Sequence, residues 1–592
     1  MFSVCASLPR ALNNAKLGRT FTRRSLPSSP CDRTRRVSLK IRSCTYDRHL
    51  PSASGRGCTR KYQGAVGPSP TGLLPSLSTV PATLPCSAVG GFPVAARRLK
   101  ATQIRQAMGS LSKAATGLQS LNVAVIGAGA SGLVAARELR EEGHQVTVLE
   151  ASQILGGIWA YDEQIESDVL GTDAARKPVH SSMYASLRTN LPREVMSYLD
   201  LPFIPEAMGG RSVDPRRFCS HEEVMAYLLA YADRYSLHDM IQYGCTVSRA
   251  SPVWSPGTPH SSADCLGWEV AHKGTGHSNE VVERFDALVV ANGHYTQPNL
   301  PDPPLSGSES WPGLQMHSHN YRTPERFAGQ VVVVVGAQSS GDDISREIAE
   351  VAKEVYVCAR NWKHPKCAED PNPFGSRSNM WRRHNLAALH SDGSVEFESR
   401  MRVTHPVDTV IYCTGYRYSM PFLPDDSVVS LEGNRVAPLY EHVFASRGST
   451  RLSFVGLPFN VVAFQLFHMQ SKWIARVLSG RCPISLKMEE EVEAFYRAVE
   501  AAGLTGRYVH EMRDGQWEYL NKLANYCGDA PRLSSWREPM YKASSENKHS
   551  NPELYRDVQH DPELQAEAAA EFQSWLSAEL WPAEEQVAVR SR

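Results

Sequence analysis

The stretch Val123-Ala-Val-Ile-Gly127-Ala-Gly129-Ala-Ser131-Gly132 limits what this chain can fold into more than any other part of it. A short apolar, β-type run from Leu121 to Ile126 ends at a glycine. A helix-type run, Leu133-Val-Ala-Ala-Arg-Glu-Leu-Arg, follows at once, and Gly143 stands where a helix-ending glycine belongs. A second strand, Gln145 to Leu149, ends in Glu150. Each glycine has a distinct task. Gly127 permits the tight turn, Gly129 lets the backbone approach a pyrophosphate, and Gly132 lets helix and strand pack closely. The helix N-terminus offers free N–H groups and a favourable dipole to phosphates. Glu150 lies 23 residues after Gly127, where a carboxylate can accept hydrogen bonds from ribose hydroxyls.

The same design recurs. Asp286-Ala-Leu-Val-Val-Ala-Asn-Gly293 and Asp408-Thr-Val-Ile-Tyr-Cys-Thr-Gly415 each run from an acid through an apolar strand to a glycine. Both are expected to be parallel strands ending at a ligand crevice. Between them lies a second glycine unit, Val331 to Val335, Gly336-Ala-Gln338-Ser339-Ser340-Gly341, a helix from Asp342 to Val351, and a strand from Glu354 to Ala359 followed by Arg360. Gln338 stands where the middle glycine should be, and its Cβ crowds a pyrophosphate, although its amide is able to hydrogen-bond a phosphate. Arg360, 24 residues after Gly336, has the charge opposite to Glu150 and can clamp a 2′-phosphate bidentately. The first unit therefore reads as a site for FAD or NAD and the second for NADP. The alternative for the second is a Rossmann-like unit with no ligand and a surface arginine.

The expected fold is α/β, with two Rossmann-like dinucleotide-binding domains, the smaller NADPH domain inserted in the larger FAD domain. The expected boundaries are an N-terminal extension at 1–118, FAD-binding parts at 119–305 and 406–545, the inserted domain at 306–405, and a tail at 546–592. Of 63 basic and 62 acidic residues, 17 basic and two acidic ones (Asp32 and Asp47) lie in 1–100. The remainder is then 46 basic against 60 acidic, net −14, which argues against nucleic acid as the main partner. The first hundred residues, rich in Arg, Ser and Pro, cannot bury enough apolar surface to order themselves. Their composition fits a plastid or mitochondrial transit peptide. A tail without an address, or an upstream extension with Met108 as the true start, fits it too. The cysteines show no Cys-x-x-Cys pair, which speaks against a metal site, a disulfide framework or a dithiol centre. No run of 18 apolar residues is present, so no membrane span is expected.

Gly156-Gly157-Ile-Trp159 can pass close to a bound ring system, with Trp159 packed against it or simply in the core. Residues 161–180 look like a polar surface excursion. In Ser186-Leu-Arg-Thr189-Asn190-Leu-Pro192, Asn190 is either a turn former or a pocket amide. A helix opens after Ser220 as N-cap, with Glu223 completing a capping box. Residues 243–284 alternate like antiparallel strands. Residues 365–400 read as a long loop or irregular insertion, Gln470 to Leu478 as a helix, and the tail from 485 as mostly helical without a catalytic motif. The loops at 161–180, 205–215 and 365–400 are expected to wall the pocket.

Trp311-Pro-Gly313-Leu-Gln-Met-His317-Ser-His-Asn-Tyr321 is similar to the F-x-G-x-x-x-H-x-x-x-[Y/F] signature of flavin-containing monooxygenases. Trp311 replaces the usual Phe. Tyr321 stands where Baeyer–Villiger monooxygenases carry Trp-Pro or Trp-Asp. Gly156-Gly-Ile-Trp159, Thr189-Asn190, Asn292-Gly-His-Tyr295 and Thr414-Gly-Tyr416 match the family pattern as well. The run from about 120 to 545 resembles its plant S-oxygenating, glucosinolate-type branch.

The resemblance implies FAD on Gly127, Gly129, Ser131 and Gly132, with Glu150 on the ribose and Gly157, Trp159 and Thr189 beside it. It implies NADPH on Gly336, Gln338, Ser339, Ser340 and Gly341, with Arg360 at the 2′-phosphate. Reduced flavin adds oxygen at C4a, and the hydroperoxide passes one oxygen atom to a thioether sulfur or an unprotonated amine. Asn190 matches the family's pocket asparagine near the peroxide. His317 and Tyr321 are expected to order the linker between the two domains rather than touch substrate. A Baeyer–Villiger enzyme, an uncoupled NADPH oxidase and a flavin-binding redox sensor are the alternatives.

Overall fold

The computed structural model describes residues 118–588 except 174, 257–264, 276–278, 363–364, 425–427, 447–449 and 531, with the side chains of 365 and 579–588 also left aside. The expectations of disorder and of a transit function for the N-terminal extension concern 1–117, outside the described residues.

Two parallel sheets carry the architecture. The first gathers β1 (Asn122–Ile126), β2 (Gln145–Leu149), β3 (Ile241–Gln242) and β7 (Ala287–Val290) with β18 (Leu439–Tyr440), β19 (Phe444–Ala445) and β20 (Leu452–Phe454), in the order β18-β19-β20-β7-β1-β2-β3. From β20 to β3 all pairings are parallel. An antiparallel layer of β4 (Cys245–Trp254), β5 (Cys265–Gly274) and β6 (Val281–Phe285) packs beside it, as the alternation at 243–284 predicts. The second sheet is wholly parallel, in the order β12-β11-β10-β16-β9: Met380–His384, Glu354–Ala359, Val331–Val335, Thr409–Tyr412 and Leu314–His317. Its three inner strands, β11, β10 and β16, are nearly continuous apolar runs, as a sheet covered on both faces requires.

The chain leaves the first sheet after β7 and returns after β16. The two crossings pair as a short antiparallel ribbon, β8 (Gln297–Pro298) with β17 (Tyr416–Arg417). The second unit is thus an insertion in the first. Strand β16 belongs to it, so a boundary at 405 falls inside the unit. Residues 365–400 are not a plain loop: they hold β12 and a small sheet of β13 (Leu386–Leu389), β14 (Val395–Phe397) and β15 (Arg402–Val403). The strand character of β12 is masked by its arginines. The Arg382 guanidinium lies 3.7 Å over the Phe374 ring and that of Arg383 5.6 Å over Tyr356, so charged residues bury themselves by stacking.

The two glycine units copy one another bond for bond. The β1 start donates Asn122 N–H to Asp286 (2.8 Å), and the β10 start donates Val331 N–H to Asp408 (2.8 Å). Gly127 N–H reaches the Leu149 carbonyl at 2.9 Å and Gly336 N–H the Cys358 carbonyl at 2.8 Å. Gly127 and Gly336 hold φ of +103° and +109°. Helix α1 (Ala130–Glu142) ends at Gly143 in the left-handed region, as expected. It is pinned to a later helix by Glu138, which meets His468 at 2.9 Å and Lys472 at 3.1 Å.

Two polar segments are more buried than their composition suggests. Glu166, within 161–180, is buried and takes Arg176 (2.9 Å), the Val179 N–H (3.0 Å) and His319 Nε2 (3.1 Å). Helix α2 (His221–Arg234) begins after Ser220 as expected, but no side-chain cap bond forms. Glu223 turns instead to Arg193 and Ser212 and to the backbone N–H groups of Val213 and Asp214. A buried arginine leaves this carboxylate no freedom to cap a helix.

His317 and Tyr321 lie where the second unit joins the first. His317 Nδ1 accepts the His319 N–H at 3.0 Å, so its Nε2–H donates to the Gly415 carbonyl at 3.0 Å. This double use keeps the ring neutral, and burial pushes its pKa down to about 3. Trp311 covers Gly313, where an added Cβ would lie 2.3 Å from the indole, and its Nε1–H reaches the Gly393 carbonyl at 3.2 Å. Tyr321 is buried between Tyr184 and Phe327.

His294 and His442 are likewise held neutral by burial, each down to about 4. The unfolded chain takes up these protons near the ordinary value of about 6.5, and the folded chain only well below it. Acidification from about pH 6.5 to 4 therefore favours unfolding. The urea midpoint is expected to fall between pH 7 and pH 5, and an unchanged midpoint would contradict the neutral-histidine account. Gly341→Ala would place a Cβ 1.8 Å from the Gly336 carbonyl oxygen. It is expected to cost about 1–3 kcal/mol or more in denaturant unfolding.

Candidate functional site

In both sheets a helix follows an interior strand, and the strand order reverses there, at β1 and at β10. Such switch points are where open α/β sheets bind ligands. A cleft of about 710 Å³ opens at the first one and runs to the helix of the second unit.

At the near end the glycine turn delivers α1 to the cleft with its N-cap, Gly129, making no side-chain cap bond and with no acid in its first turn. The helix's leading N–H groups stay free for an anion. Gly129 bridges to Gly156, and a Cβ on Gly157 would lie 3.0 Å from the Gly129 Cα. Two glycine segments back one another and leave a surface free of side chains beside the helix N-terminus. Gly127, Gly129, Ser131, Glu150, Gly157 and Trp159 all line this end. Glu150 is buried at the end of β2, and its carboxylate accepts the N–H of Ala128 (2.6 Å) and of Ser152 (2.8 Å). It is fixed in place by the loop it faces. Gly132 lies behind the lining, where an added Cβ would meet the Gly127 carbonyl oxygen at 1.8 Å.

In the middle, Thr189 is buried with its N–H on the Cys219 carbonyl (2.8 Å), while its Oγ1 has no partner among the described residues. His294 Nε2 is equally unpartnered on the same cleft. Buried polar atoms are rarely left so, and both fit a polar ligand lying along the cleft. Phe464, Phe467, Val461 and Leu191 supply an apolar wall.

At the far end, Asn190 Nδ2 donates to Ser339 Oγ at 3.3 Å. Ser339 opens α3 (Ser339–Ala349), so Asn190 links the two units. Ser339, Ser340 and Asp343 line the cleft, while Gly336, Gln338, Gly341 and Arg360 do not. Gln338 is exposed, with φ −82° and ψ −172° against −75° and −173° at Gly129. The missing glycine therefore costs the turn nothing; only the space above its Cα differs. Arg360 is exposed at the end of β11. Since Leu149 matches Cys358 in the two registers, Arg360 lies one residue past the counterpart of Glu150.

The cleft walls differ from expectation. Of the three loops expected there, only 161–180 contributes, through Arg176, Pro178 and His180. The other walls come from 182–191, 291–297, 417–422 and 455–467. His180, exposed at the end of the excursion, lines the cleft and faces Glu150. Its polar surroundings in the sequence give no sign of a cleft, so only its chain position could have pointed to it.

A family model described as flavin-binding monooxygenase-like matches residues 120–374 and 378–539. A flavin-containing monooxygenase of Arabidopsis thaliana, FMO GS-OX-like 4, is 45% identical over 459 residues, 77% of this chain and 98% of the relative. FMO GS-OX4 of the same plant is 42% identical over 465 residues, 78% and 96% of the two chains. The solved structure of S-allyl-L-cysteine S-oxygenase from Allium sativum is similar at 43% identity and a TM-score of 0.71, covering 77% of this chain and 100% of that one. Tmm from Pelagibacter sp. strain HTCC7211 shares the fold at 24% identity and a TM-score of 0.59, over 74% and 93% of the two chains. The chain belongs to the flavin-binding monooxygenase-like family, a flavin-dependent monooxygenase whose membership carries dependence on FAD and NADPH.

Proposed function

We propose that this enzyme transfers one oxygen atom of dioxygen to a soft nucleophile in a small molecule, with thioether sulfur preferred over amine nitrogen. The observation that carries this reading is one cleft joining two helix N-termini through Asn190 and Ser339. The sulfur preference rests on the S-oxygenase named among the similar structures.

In this reading the N-terminus of α1, with Gly127, Gly129, Ser131 and Gly132, holds the FAD pyrophosphate. Glu150 takes the ribose hydroxyls, and Gly157, Trp159 and Thr189 border the rest of the cofactor. The turn at Gly336–Gly341, with Gln338, Ser339 and Ser340, holds NADPH, and Arg360 meets its 2′-phosphate. NADPH supplies a hydride and the flavin supplies oxygen activation. The chain's own part is position and dryness. Thr189 presents its free hydroxyl, Asn190 directs an amide to the junction of the two units, and the wall of Phe464 and Phe467 excludes water. A thioether sulfur carries its own lone pair and loses no proton on oxygenation, so no residue need act as a base. Residues 119–305 and the chain from β17 to residue 545 then form the FAD-binding part and the inserted sheet, β16 included, the NADPH-binding part. Import into a plastid or mitochondrion by the N-terminal segment is proposed on its composition alone. No helix among the described residues is long and apolar enough to cross a membrane.

Purified protein supplied with NADPH, a simple aryl methyl sulfide and ¹⁸O₂ is expected to yield singly labelled sulfoxide; NADPH use indifferent to the sulfide, all ending as peroxide, would contradict the proposal. Arg360→Ala is expected to raise the KM for NADPH about tenfold or more, the worth of one charge-assisted hydrogen bond, and to leave that for NADH unmoved. Equal use of the two nucleotides by the unaltered enzyme would remove Arg360 from its assigned role. Asn190→Ala is expected to keep anaerobic flavin reduction while sending more of the electrons to peroxide. Unchanged coupling would take Asn190 out of the mechanism.

A further inference from the structure

The two helix N-termini on the cleft differ in charge. The first turn of α1 carries no acid, whereas α3 begins Ser339-Ser340-Gly341-Asp342-Asp343. A carboxylate beside a helix N-terminus occupies the field that an anionic ligand would use and repels that ligand directly. Asp342 is answered within the helix by Arg346, at 3.1 Å. Asp343, which lines the cleft, is answered from far along the chain. Arg556 places Nη2 2.6 Å from one carboxylate oxygen and Nη1 3.2 Å from the other. The Tyr184 hydroxyl adds a third bond, at 3.1 Å.

The same guanidinium holds the other unit. Its Nε donates to the Thr189 carbonyl at 3.0 Å and its Nη2 to the Arg188 carbonyl at 3.3 Å. These residues immediately precede Asn190. One side chain, 17% exposed, thus grips the nucleotide-side helix with one edge and the Asn190 loop with another. The segment that carries it is itself strapped down. Asp557 meets Arg188 at 2.8 Å, Asp561 meets Arg217 at 2.7 Å, Glu553 pairs with Arg346, and Tyr555 is buried edge-on against Phe218. The strap lies beyond residue 539, where the family match ends.

Resting on the proposed function, we infer that Arg556 is a positioning residue for the nicotinamide dinucleotide. It cancels the Asp343 charge at the NADPH end of the cleft and fixes the Asn190 loop against α3, so that oxidised nucleotide stays bound while oxygen is transferred. It touches neither substrate nor cofactor. Its effect belongs in dinucleotide affinity and coupling, not in the limiting rate of hydride transfer.

The test uses the full-length flavoprotein and the variants Arg556→Met, Asp343→Asn and the double variant, each checked for flavin content and melting temperature. NADP⁺ binding to the oxidised protein is measured by calorimetry, apart from any turnover. Arg556→Met is expected to weaken NADP⁺ binding about tenfold or more, the order expected for one uncompensated charge near the site, and to raise the NADPH KM in step. The limiting rate of anaerobic flavin reduction is expected to stay within about twofold, and peroxide release to rise. Adding Asp343→Asn should restore much of the lost affinity, because the unbalanced carboxylate is gone. A lower melting temperature with unchanged NADP⁺ affinity, or no recovery in the double variant, would overturn the inference. Should Arg556→Met not fold, Arg556→Lys decides: affinity retained with raised peroxide release supports it, and behaviour identical to the unaltered enzyme overturns it. Failure of the unaltered flavoprotein to bind NADP⁺ at all would instead contradict the proposed function, and this inference with it.

Discussion

The arrangement depends on helix N-termini left open at the ends of parallel strands. A helix begins with four N–H groups that its own turns cannot satisfy. In α1 neither a side-chain cap nor an acid takes them up. The strand β1, flanked on both sides in its sheet, aims this unmet demand into the cleft. The positive φ of Gly127 makes the turn short enough to do so. The fold has been repeated with the same bonds at β10, so two such sites share one crevice.

Symmetry of backbone is combined with asymmetry of side chains. Glu150 follows the first cradle and Arg360 the second. The first turn of α1 is uncharged, while that of α3 is acidic and balanced by arginines. Each difference acts on charge and not on shape, since Gln338 keeps the backbone angles of Gly129 to within a few degrees. Two chemically related cofactors can be told apart on nearly identical scaffolds when a few charges at the rim differ.

Much of this was legible in the chain because it is local. Strand, glycines and helix lie within 30 residues, and the Asp286 and Asp408 echoes lie at the starts of strands whose neighbours are read from the same pattern. The insertion followed from the order of these units. What escaped has a common physical cause: charged residues satisfied by distant partners. Strand β12 hides behind arginines stacked on aromatic rings. Glu166 reads as surface until His319 is seen beside it. Glu223 looks like a capping acid until Arg193 claims it. Arg556 lies 367 residues from Thr189, and a lone arginine in a charged tail offers no spacing by which to find that partner. Two of the loops expected to wall the cleft lie away from it, whereas the walls 291–297, 417–422 and 455–467 follow strands β7, β17 and β20.

The central claim is that the two cradles present FAD and NADPH to each other across the cleft. Rapid anaerobic mixing of the FAD-loaded protein with NADPH tests it directly. One NADPH per flavin is expected to bleach the flavin absorbance, more slowly when the transferred hydrogen at nicotinamide C4 is deuterium. Flavin that stays oxidised, or a bleaching rate insensitive to the isotope and to NADPH concentration, would contradict the account.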